Sequence, residues 1–218
     1  MEGKNILTPE RVRVLELVAK EPRLANFYLS GGTALSAFYF QHRDSEDLDF
    51  FCFETINVSL IHEFMDMVKK DLGAKTMRYD KVFYRNLFFL TLADKTEFKL
   101  EFTKYPFKHL GKISKKFGVP IDSLRDIAAN KFMALIERFD PKDFVDMYFL
   151  LERYSLSAIR RDAEKKFGSK IGDMGVGSEF AKVRRIEALP RMLKPLTIGK
   201  VKVFFANEAR KLGTSFLL

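Results

Sequence analysis

The chain of 218 residues has a single cysteine, no tryptophan and only three histidines. Cys52 cannot form an intramolecular disulfide, and a chain of this length can bury enough apolar surface to fold without one. No apolar run reaches the roughly 18 residues that a membrane span requires, and the first ten residues contain no apolar leader segment. We therefore expect a globular, cytoplasmic protein that has no membrane partner.

Acidic residues are scarce in the last third of the chain. Residues 1–152 contain 23 basic and 23 acidic residues, whereas residues 153–218 contain 15 basic and 6 acidic ones, so the net charge of +9 lies entirely in the C-terminal region. Lysine and arginine side chains that displace counterions from phosphates gain affinity for polyanions. This region either contacts a polyanion such as RNA or forms a solvated surface, and its charge is compatible with both.

Strand and helix patterns alternate in the first half of the chain, whereas helical patterns dominate the second. The periodicity and the turn residues predict helices over 9–20, 34–41 and 58–72, strands over 26–30 and 47–53, and a hairpin of 87–92 with 98–102. Thr33 is expected to cap the second of these helices. Helices are also predicted over 122–139 and 142–154. The glycine-rich segment 172–177 follows no strand and is expected to be a flexible connection.

Two aspartates stand at the start of the second predicted strand. Because side chains alternate along a strand, Asp47 and Asp49 share one face about 6.6 Å apart, while Leu48 and Phe50 point into a core. Aspartate is disfavoured in strands, and carboxylate oxygens are the ligands that Mg²⁺ prefers. The pair indicates either a divalent-metal site or two exposed strand-end carboxylates.

The second strand of the predicted hairpin carries further acids. Glu97, Lys99 and Glu101 occupy alternate positions and therefore share a face. If this strand lies beside the aspartate strand, Glu101 can complete a cluster of three carboxylates. Glu97 is the competing candidate, and a solvated outer face is the alternative for both.

The turn that precedes the aspartates suits a phosphate. Gly31-Gly32 stands between a predicted strand and a predicted helix, where backbone N–H groups are open, and Thr33 adds a hydroxyl. Arg43 and Ser45 lie in the loop that leads to the aspartates, where they can hold a phosphate or brace the loop. A lone Gly-Gly is usually only a tight turn. The interpretation as a phosphate site therefore depends on the position of the turn before the paired aspartates.

The helical half contains one lysine in an unusual position. Lys131 lies within or at the edge of an apolar helix stripe, where its ammonium either extends past the core to solvent or points into a cleft that binds phosphate. Lys142, Asp143 and Asp146 begin the next helix, with the two aspartates on one face. Aspartate in a first helical turn often only complements the helix dipole.

Three segments in this order resemble the nucleotidyltransferase family of AbiEii/AbiGii toxins, a branch of the polymerase-β-like superfamily. They are LSGGTAL at 29–35, RDSEDLDF at 43–50 and KDFVDMY at 142–148. The resemblance covers about residues 24–152 and implies an α+β fold with a mixed sheet and flanking helices. Together with the helical patterns and the charge, it predicts a nucleotidyltransferase core over 1–110, followed by a helical, basic region over 111–218. Two positions depart from the common pattern, because many members have Gly-Ser where this chain has Gly32-Thr33, and Asp is commoner than Glu at the third acid.

The resemblance also implies the roles of individual residues. It assigns Mg²⁺ or Mn²⁺ to Asp47, Asp49 and Glu101, and it places Lys131, Asp143 and Asp146 with the catalytic group. The nucleoside triphosphate is assigned to Ser30, Gly31, Gly32, Thr33, Arg43, Ser45, Lys131 and Lys142.

The implied reaction transfers a nucleoside monophosphate from a triphosphate to an acceptor hydroxyl. The basic C-terminal region favours RNA as the acceptor, and some toxins of this family act at the tRNA 3′ end; a cognate antitoxin is then an expected partner. The alternatives are a small-molecule acceptor, as in relatives that modify antibiotics, and a non-catalytic protein that binds nucleotide or RNA.

Overall fold

The computed structural model describes residues 6–213, and the chain forms two compact units. The first unit runs through Tyr39 and resumes from Ser45 to Ser123, whereas the second contains Phe40–Asp44 and resumes at Leu124. The division predicted at residue 110 precedes two short strands that belong to the first unit, because one of them pairs with the strand that ends in the glycine turn.

The first unit is built on a seven-stranded mixed sheet. Its strands are β1 Tyr28–Ser30, β2 Leu48–Cys52, β3 Thr76–Val82, β4 Arg85–Thr91, β5 Glu97–Lys104, β6 Ser114–Lys116 and β7 Val119–Ile121. The order across the sheet is β3-β4-β5-β2-β1-β7-β6, in which β2 runs parallel to β5 and β1 parallel to β7. The mixed sheet and the β4–β5 hairpin confirm the sequence-based predictions.

Three helices belong largely to this unit. They are α1 Pro9–Lys20, α2 Gly31–Leu35, which continues as a π-helical turn over Ser36–Phe40, and α3 Val58–Asp71. The predicted cap at Thr33 is wrong, since α2 already begins at Gly31 and contains Thr33. Its hydroxyl instead donates a hydrogen bond to the carbonyl oxygen of Asp47.

The two faces of the sheet have different chemistry. Phe88 and Phe102 are fully buried on the face that α3 covers, where the Phe64 ring meets Phe102 edge to face. Phe50 stacks on Phe102 with ring centroids 5.3 Å apart. Because side chains alternate along each strand, the residues next to these phenylalanines, including Asp49 and Glu101, point to the opposite face.

The second unit is helical. Its elements are α4 Leu124–Glu137, α5 Pro141–Leu151, α6 Leu156–Phe167, α7 Asp173–Ala181 and α8 Ile198–Lys211. Phe132, Phe144, Phe180 and Phe205 are fully buried and form its core. Across residues 6–213, no helix is both long and apolar enough to cross a membrane.

The prediction of a flexible connection over 172–177 is wrong. Gly172 precedes α7, and Gly175 and Gly177 lie inside the helix. Val176 and Phe180, one turn apart, are fully buried on the same side. Their burial outweighs the low helix propensity of the glycines, which is a tertiary effect that the local pattern does not reveal.

Candidate active site

Three carboxylates lie close together on adjacent strands of the first unit. Asp49 and Glu101 are directly paired across the parallel strands β2 and β5, and Asp47 stands immediately before β2. The side chain of Asp47 is 45% exposed, whereas that of Glu101 is only 5% exposed. The condition set by the sequence, that the Glu101 strand lies beside the aspartate strand, is therefore met.

Two cations stand among these acids. The Nζ of Lys99 lies 2.8 Å from an Asp47 oxygen and 3.6 Å from a Glu101 oxygen. Arg85 donates from two nitrogens, each 2.7 Å from one oxygen of Glu101, and the Thr103 hydroxyl donates to the same carboxylate. Lys99 and Arg85 therefore hold two of the three carboxylates, Asp47 and Glu101, in fixed positions.

These contacts also fix the charge of Glu101. Burial alone would raise its pKa, but the hydrogen bonds from Arg85 and Thr103 bring the pKa below its ordinary value. Burial likewise opposes the charge of Lys99, yet the hydrogen bond to Asp47 and the nearby acids raise its pKa. Both groups are therefore ionised at neutral pH.

The glycine turn touches the carboxylates directly. Gly31 has φ +72°, in the left-handed region that favours glycine, and a Cβ atom at this position would overlap the Oδ2 of Asp49. A residue with a side chain would be strained in its backbone and would also displace the carboxylate. Glycine is therefore required here for the close approach of the turn to the acid.

The buried Asp122 holds the glycine turn in place, a role that the sequence analysis missed. The Ser30 hydroxyl lies 2.9 Å from Asp122, which is fully buried, and the Asp122 amide donates to the carbonyl oxygen of Leu29. The Tyr39 hydroxyl donates to the Asp122 carbonyl oxygen. Asp122 thus joins both ends of the segment that carries the glycines, whereas its sequence position indicated only a helix start.

Hydroxyls connect the turn to the aspartate loop. Thr33 lies inside α2, with its Oγ1 3.0 Å from the Oγ of Ser45 and bonded to the carbonyl of Asp47. The helix that follows the glycine turn is therefore fixed to the loop that leads into β2.

The second unit contains a separate, buried cluster of charges around Asp146. Arg43 donates to both oxygens of this carboxylate, at 2.6 and 2.8 Å, and His42 Nε2 lies 2.8 Å from it. Arg43 also donates to the carbonyl of Asp44, so its contacts are those of a residue that braces the loop. Its part in nucleotide binding stays a prediction.

Lys131 joins this cluster to Asp143. Its Nζ lies 2.6 Å from Asp146 and 2.9 Å from Asp143, and Arg138 contacts Asp143 from the other side at 2.9 Å. Burial alone would raise the pKa of Asp146, but Lys131 and Arg43 hold it well below its usual range. The apolar stripe of α4 therefore contains Lys131 because two carboxylates compensate its charge.

The two units divide the predicted site residues between them. The first unit holds Ser30, Gly31, Gly32, Thr33, Ser45, Asp47, Asp49 and Glu101, and the second holds Arg43, Lys131, Lys142, Asp143 and Asp146. Lys142 is exposed, with its amide bonded to Asp140 at the start of α5. Arg85 and Asp122 escaped the sequence analysis, since their contacts depend on strand pairing rather than on local pattern.

The comparison with protein families decides the identity of the chain. Residues 13–212 match the family of the nucleotidyl transferase AbiEii toxin of type IV toxin–antitoxin systems. The chain belongs to this family of nucleotidyltransferases. The match covers both units, so the sequence-based identification of the family is confirmed.

Individual proteins resemble the chain in sequence or in fold over most of its length. The chain is 29% identical over 168 residues to an uncharacterized protein of Aquifex aeolicus. The aligned region covers 74% of this chain and 76% of the relative. Among solved structures, an H. pylori protein proposed to be a nucleotidyltransferase superposes with a TM-score of 0.62 at 19% identity, covering 98% of this chain and 96% of the other. The nucleotidyltransferase toxin MenT4 from Mycobacterium tuberculosis has a TM-score of 0.56 at 14% identity, with coverages of 95% and 81%. At these identities the structures show the shared fold.

The contact between Gly31 and Asp49 gives a first prediction. Gly31→Ala should reduce nucleotide transfer at least tenfold, because the new Cβ displaces the carboxylate. The matched control is Gly73→Ala, which has a similar φ of +63° but no atom within 4 Å of the new Cβ. Gly73→Ala should lose about 1–2 kcal/mol of stability from the backbone strain, and Gly31→Ala should lose more because its Cβ also displaces Asp49; both losses are measured by urea unfolding. Wild-type transfer by Gly31→Ala would show that the close approach is not needed.

The buried cluster gives a second prediction. Asp146→Asn leaves Lys131 and Arg43 buried with too little negative charge, so the free energy of unfolding should fall by about 3–5 kcal/mol. Because the folded pKa of Asp146 is depressed, this contribution is complete above the unfolded pKa of about 3.9 and is lost as the pH falls further. Wild type and variant should therefore converge in acid.

The control for this prediction is Asp140→Asn. Asp140 caps α5 through its side chain, and asparagine caps equally well, so little change is expected. Equal stability of Asp146→Asn and Asp140→Asn at neutral pH would contradict the assigned role of the buried cluster.

Proposed function

We propose that this protein transfers a nucleoside monophosphate from a nucleoside triphosphate to a hydroxyl of RNA, with Mg²⁺ or Mn²⁺ bound by Asp47, Asp49 and Glu101. One observation carries the proposal: the glycine turn and the paired acids of β2 and β5 meet at a single place in the first unit. In the same proposal the protein is the toxin of a pair, with a cognate antitoxin as its partner.

The donor set suits a hard divalent cation. It consists of carboxylate oxygens on two neighbouring strands, and the side chain of Asp47 is 45% exposed. Mg²⁺ prefers such ligands and keeps several waters. When bound, the metal would stabilise negative charge on the attacking and leaving oxygens of the transfer.

The protein's own groups position the reactants. In this proposal the triphosphate lies on Ser30, Gly31, Gly32 and Thr33, where the absence of side chains at the two glycines allows the backbone to approach closely. Thr33 and Ser45 keep this turn fixed against the start of β2. The attacking hydroxyl then meets the α-phosphorus beside the carboxylates, and pyrophosphate leaves towards the turn.

The residues of the second unit enter the proposal through the family resemblance. Lys131 and Lys142 are proposed to neutralise phosphate charge, and Asp143 and Asp146 to orient the lysine or the acceptor. The contacts of Lys131 with both aspartates keep its ammonium fixed and charged, since a buried lysine without such partners would lose its proton. A phosphate would have to compete with these contacts.

The acceptor is proposed to be RNA, with the tRNA 3′ end as the first substrate to test. The support is the positive charge of the chain, which favours a polyanion over a small neutral molecule. A screen with each labelled triphosphate and total RNA identifies the nucleotide and the acceptor together.

Neutralising the aspartate pair tests the metal assignment. Asp47→Asn with Asp49→Asn should abolish transfer and weaken Mn²⁺ binding while the fold persists, since Asp47 is largely solvated. Transfer is measured with α-labelled triphosphates, Mn²⁺ by electron paramagnetic resonance and folding by thermal unfolding. Asp66→Asn, an exposed change on α3, is the control. Undiminished transfer by the double variant would refute the assignment.

The two glutamates of β5 offer a matched pair. Glu101→Gln should impair transfer far more than Glu97→Gln, because both lie on one face of the same strand but only Glu101 is paired with Asp49. Rates are compared at saturating triphosphate and across a range of Mn²⁺ concentrations. Equal and small effects would remove Glu101 from the site.

A further inference from the structure

The turn between β3 and β4 exposes three consecutive large apolar residues. Phe83 is 88% exposed and Tyr84 is 68% exposed, and Val82 before them is also largely open to solvent. Scattered exposed apolar residues are ordinary, whereas contiguous ones mark a surface that binds something. The tip of this hairpin contributes little burial to the fold, so its aromatic character needs another explanation.

The backbone conformation of the turn also favours a role in binding. Phe83 has φ +52°, in the left-handed region where two-residue hairpin turns favour asparagine, aspartate or glycine. A bulky aromatic residue in this conformation costs folding stability, and such outliers cluster at functional positions. The turn therefore carries a phenylalanine where folding alone would favour a small or polar residue.

Positively charged side chains lie near the rings of Phe83 and Tyr84. The Nζ of Lys104 lies 5.8 Å from the centre of the Tyr84 ring, and the Lys104 amide donates to the Tyr84 carbonyl. Lys81 is exposed beside the turn, and Arg85 follows it directly. The nearby Asp80 is paired with Arg78. Exposed rings interleaved with positive charge are the combination by which proteins hold single-stranded nucleic acid.

The turn lies a few residues from the carboxylates along the strands. It is level with Lys104 and the end of β2, whereas Asp49 and Glu101 are three residues back. Arg85 starts β4, and its guanidinium holds Glu101, which is paired with Asp49. Lys104 is three residues beyond Glu101 on β5, a distance of about 10 Å along the strand. All of these residues belong to the first unit. A strand of nucleic acid stacked on the turn can therefore reach the carboxylates with its end.

We propose that Phe83 and Tyr84 stack on bases of a single-stranded RNA acceptor, while Lys81 and Lys104 contact its phosphates. This inference rests on the proposed function and names the surface that would hold the acceptor. Because stacking tolerates any base, the surface positions the strand with little sequence preference.

The test compares RNA strands with and without bases. Binding of fluorescein-labelled oligoadenylate, and of a strand of equal length with abasic riboses, is measured by fluorescence anisotropy. The double variant combines Phe83→Asn, which removes the ring while asparagine retains the turn conformation, with Tyr84→Ser. It should lower the affinity for oligoadenylate roughly tenfold or more and leave binding of the abasic strand nearly unchanged.

Phe117→Asn is the matched control. Phe117 is also an exposed phenylalanine with φ +51° in a hairpin turn, but it lies between β6 and β7 at the opposite edge of the sheet. The Phe117→Asn variant should bind oligoadenylate with the same affinity as the wild type. Thermal unfolding of all variants verifies that each turn survives.

Separate outcomes overturn the inference and the proposed function. Equal binding by the double variant and Phe117→Asn, equal losses for both strands, or no binding of oligoadenylate by wild type would each overturn the stacking surface. The aspartate double variant should bind oligoadenylate normally but fail to transfer. If wild type binds RNA with base-dependent affinity yet transfers no nucleotide to it, the proposed function fails while the stacking surface stands.

Discussion

The parallel pairing of β2 with β5 is the constraint on which the site depends. The same register that pairs Asp49 with Glu101 pairs Phe50 with Phe102, whose rings stack on the opposite, covered face. A slip of one residue would turn every side chain to the wrong face, burying carboxylates and exposing phenylalanines. The large free energy of aromatic burial therefore fixes the position of acids that would otherwise repel each other.

Cations compensate the repulsion between carboxylates differently in the two units. In the first, Lys99 and Arg85 contact Asp47 and Glu101, and the Asp47 side chain is 45% exposed. In the second, Lys131 and Arg43 surround Asp146, which is fully buried. A carboxylate that is partly open to solvent can exchange one cation for another. A closed cluster of charges is suited to hold a loop and two helices in one geometry.

The sequence predicted the parts of the fold that have strong local patterns. Alternation identified β2 and the β4–β5 hairpin, and glycine between a strand and a helix identified the turn at Gly31. The sequence analysis missed β3, an edge strand whose alternation from Thr76 to Asp80 contains only two apolar residues, Met77 and Tyr79. It also missed Arg85 and Asp122, whose partners are 16 and 92 residues away and are set only by strand pairing. The helix cap at Thr33 failed because the chain enters the helix two residues earlier, at a glycine that touches Asp49.

The contacts of the basic residues change the interpretation of the charge distribution. The basic excess lies in the last third of the chain, yet many of its cations already have acidic or aromatic partners within the second unit. Lys166 is buried against Asp126, Arg160 pairs with Glu164 and Asp173, and Arg185 lies over the Phe139 ring. A cation held in this way contributes less to phosphate binding than its formal charge suggests, because its existing contact must first be broken.

At the β3–β4 turn, by contrast, Lys81 is exposed, and Phe83 and Tyr84 are 88% and 68% exposed. Affinity for a single strand requires phosphate neutralisation and base stacking at the same place, and net charge reports only the first of these. The position of the exposed rings is therefore a better guide to the path of an acceptor than the position of the excess charge.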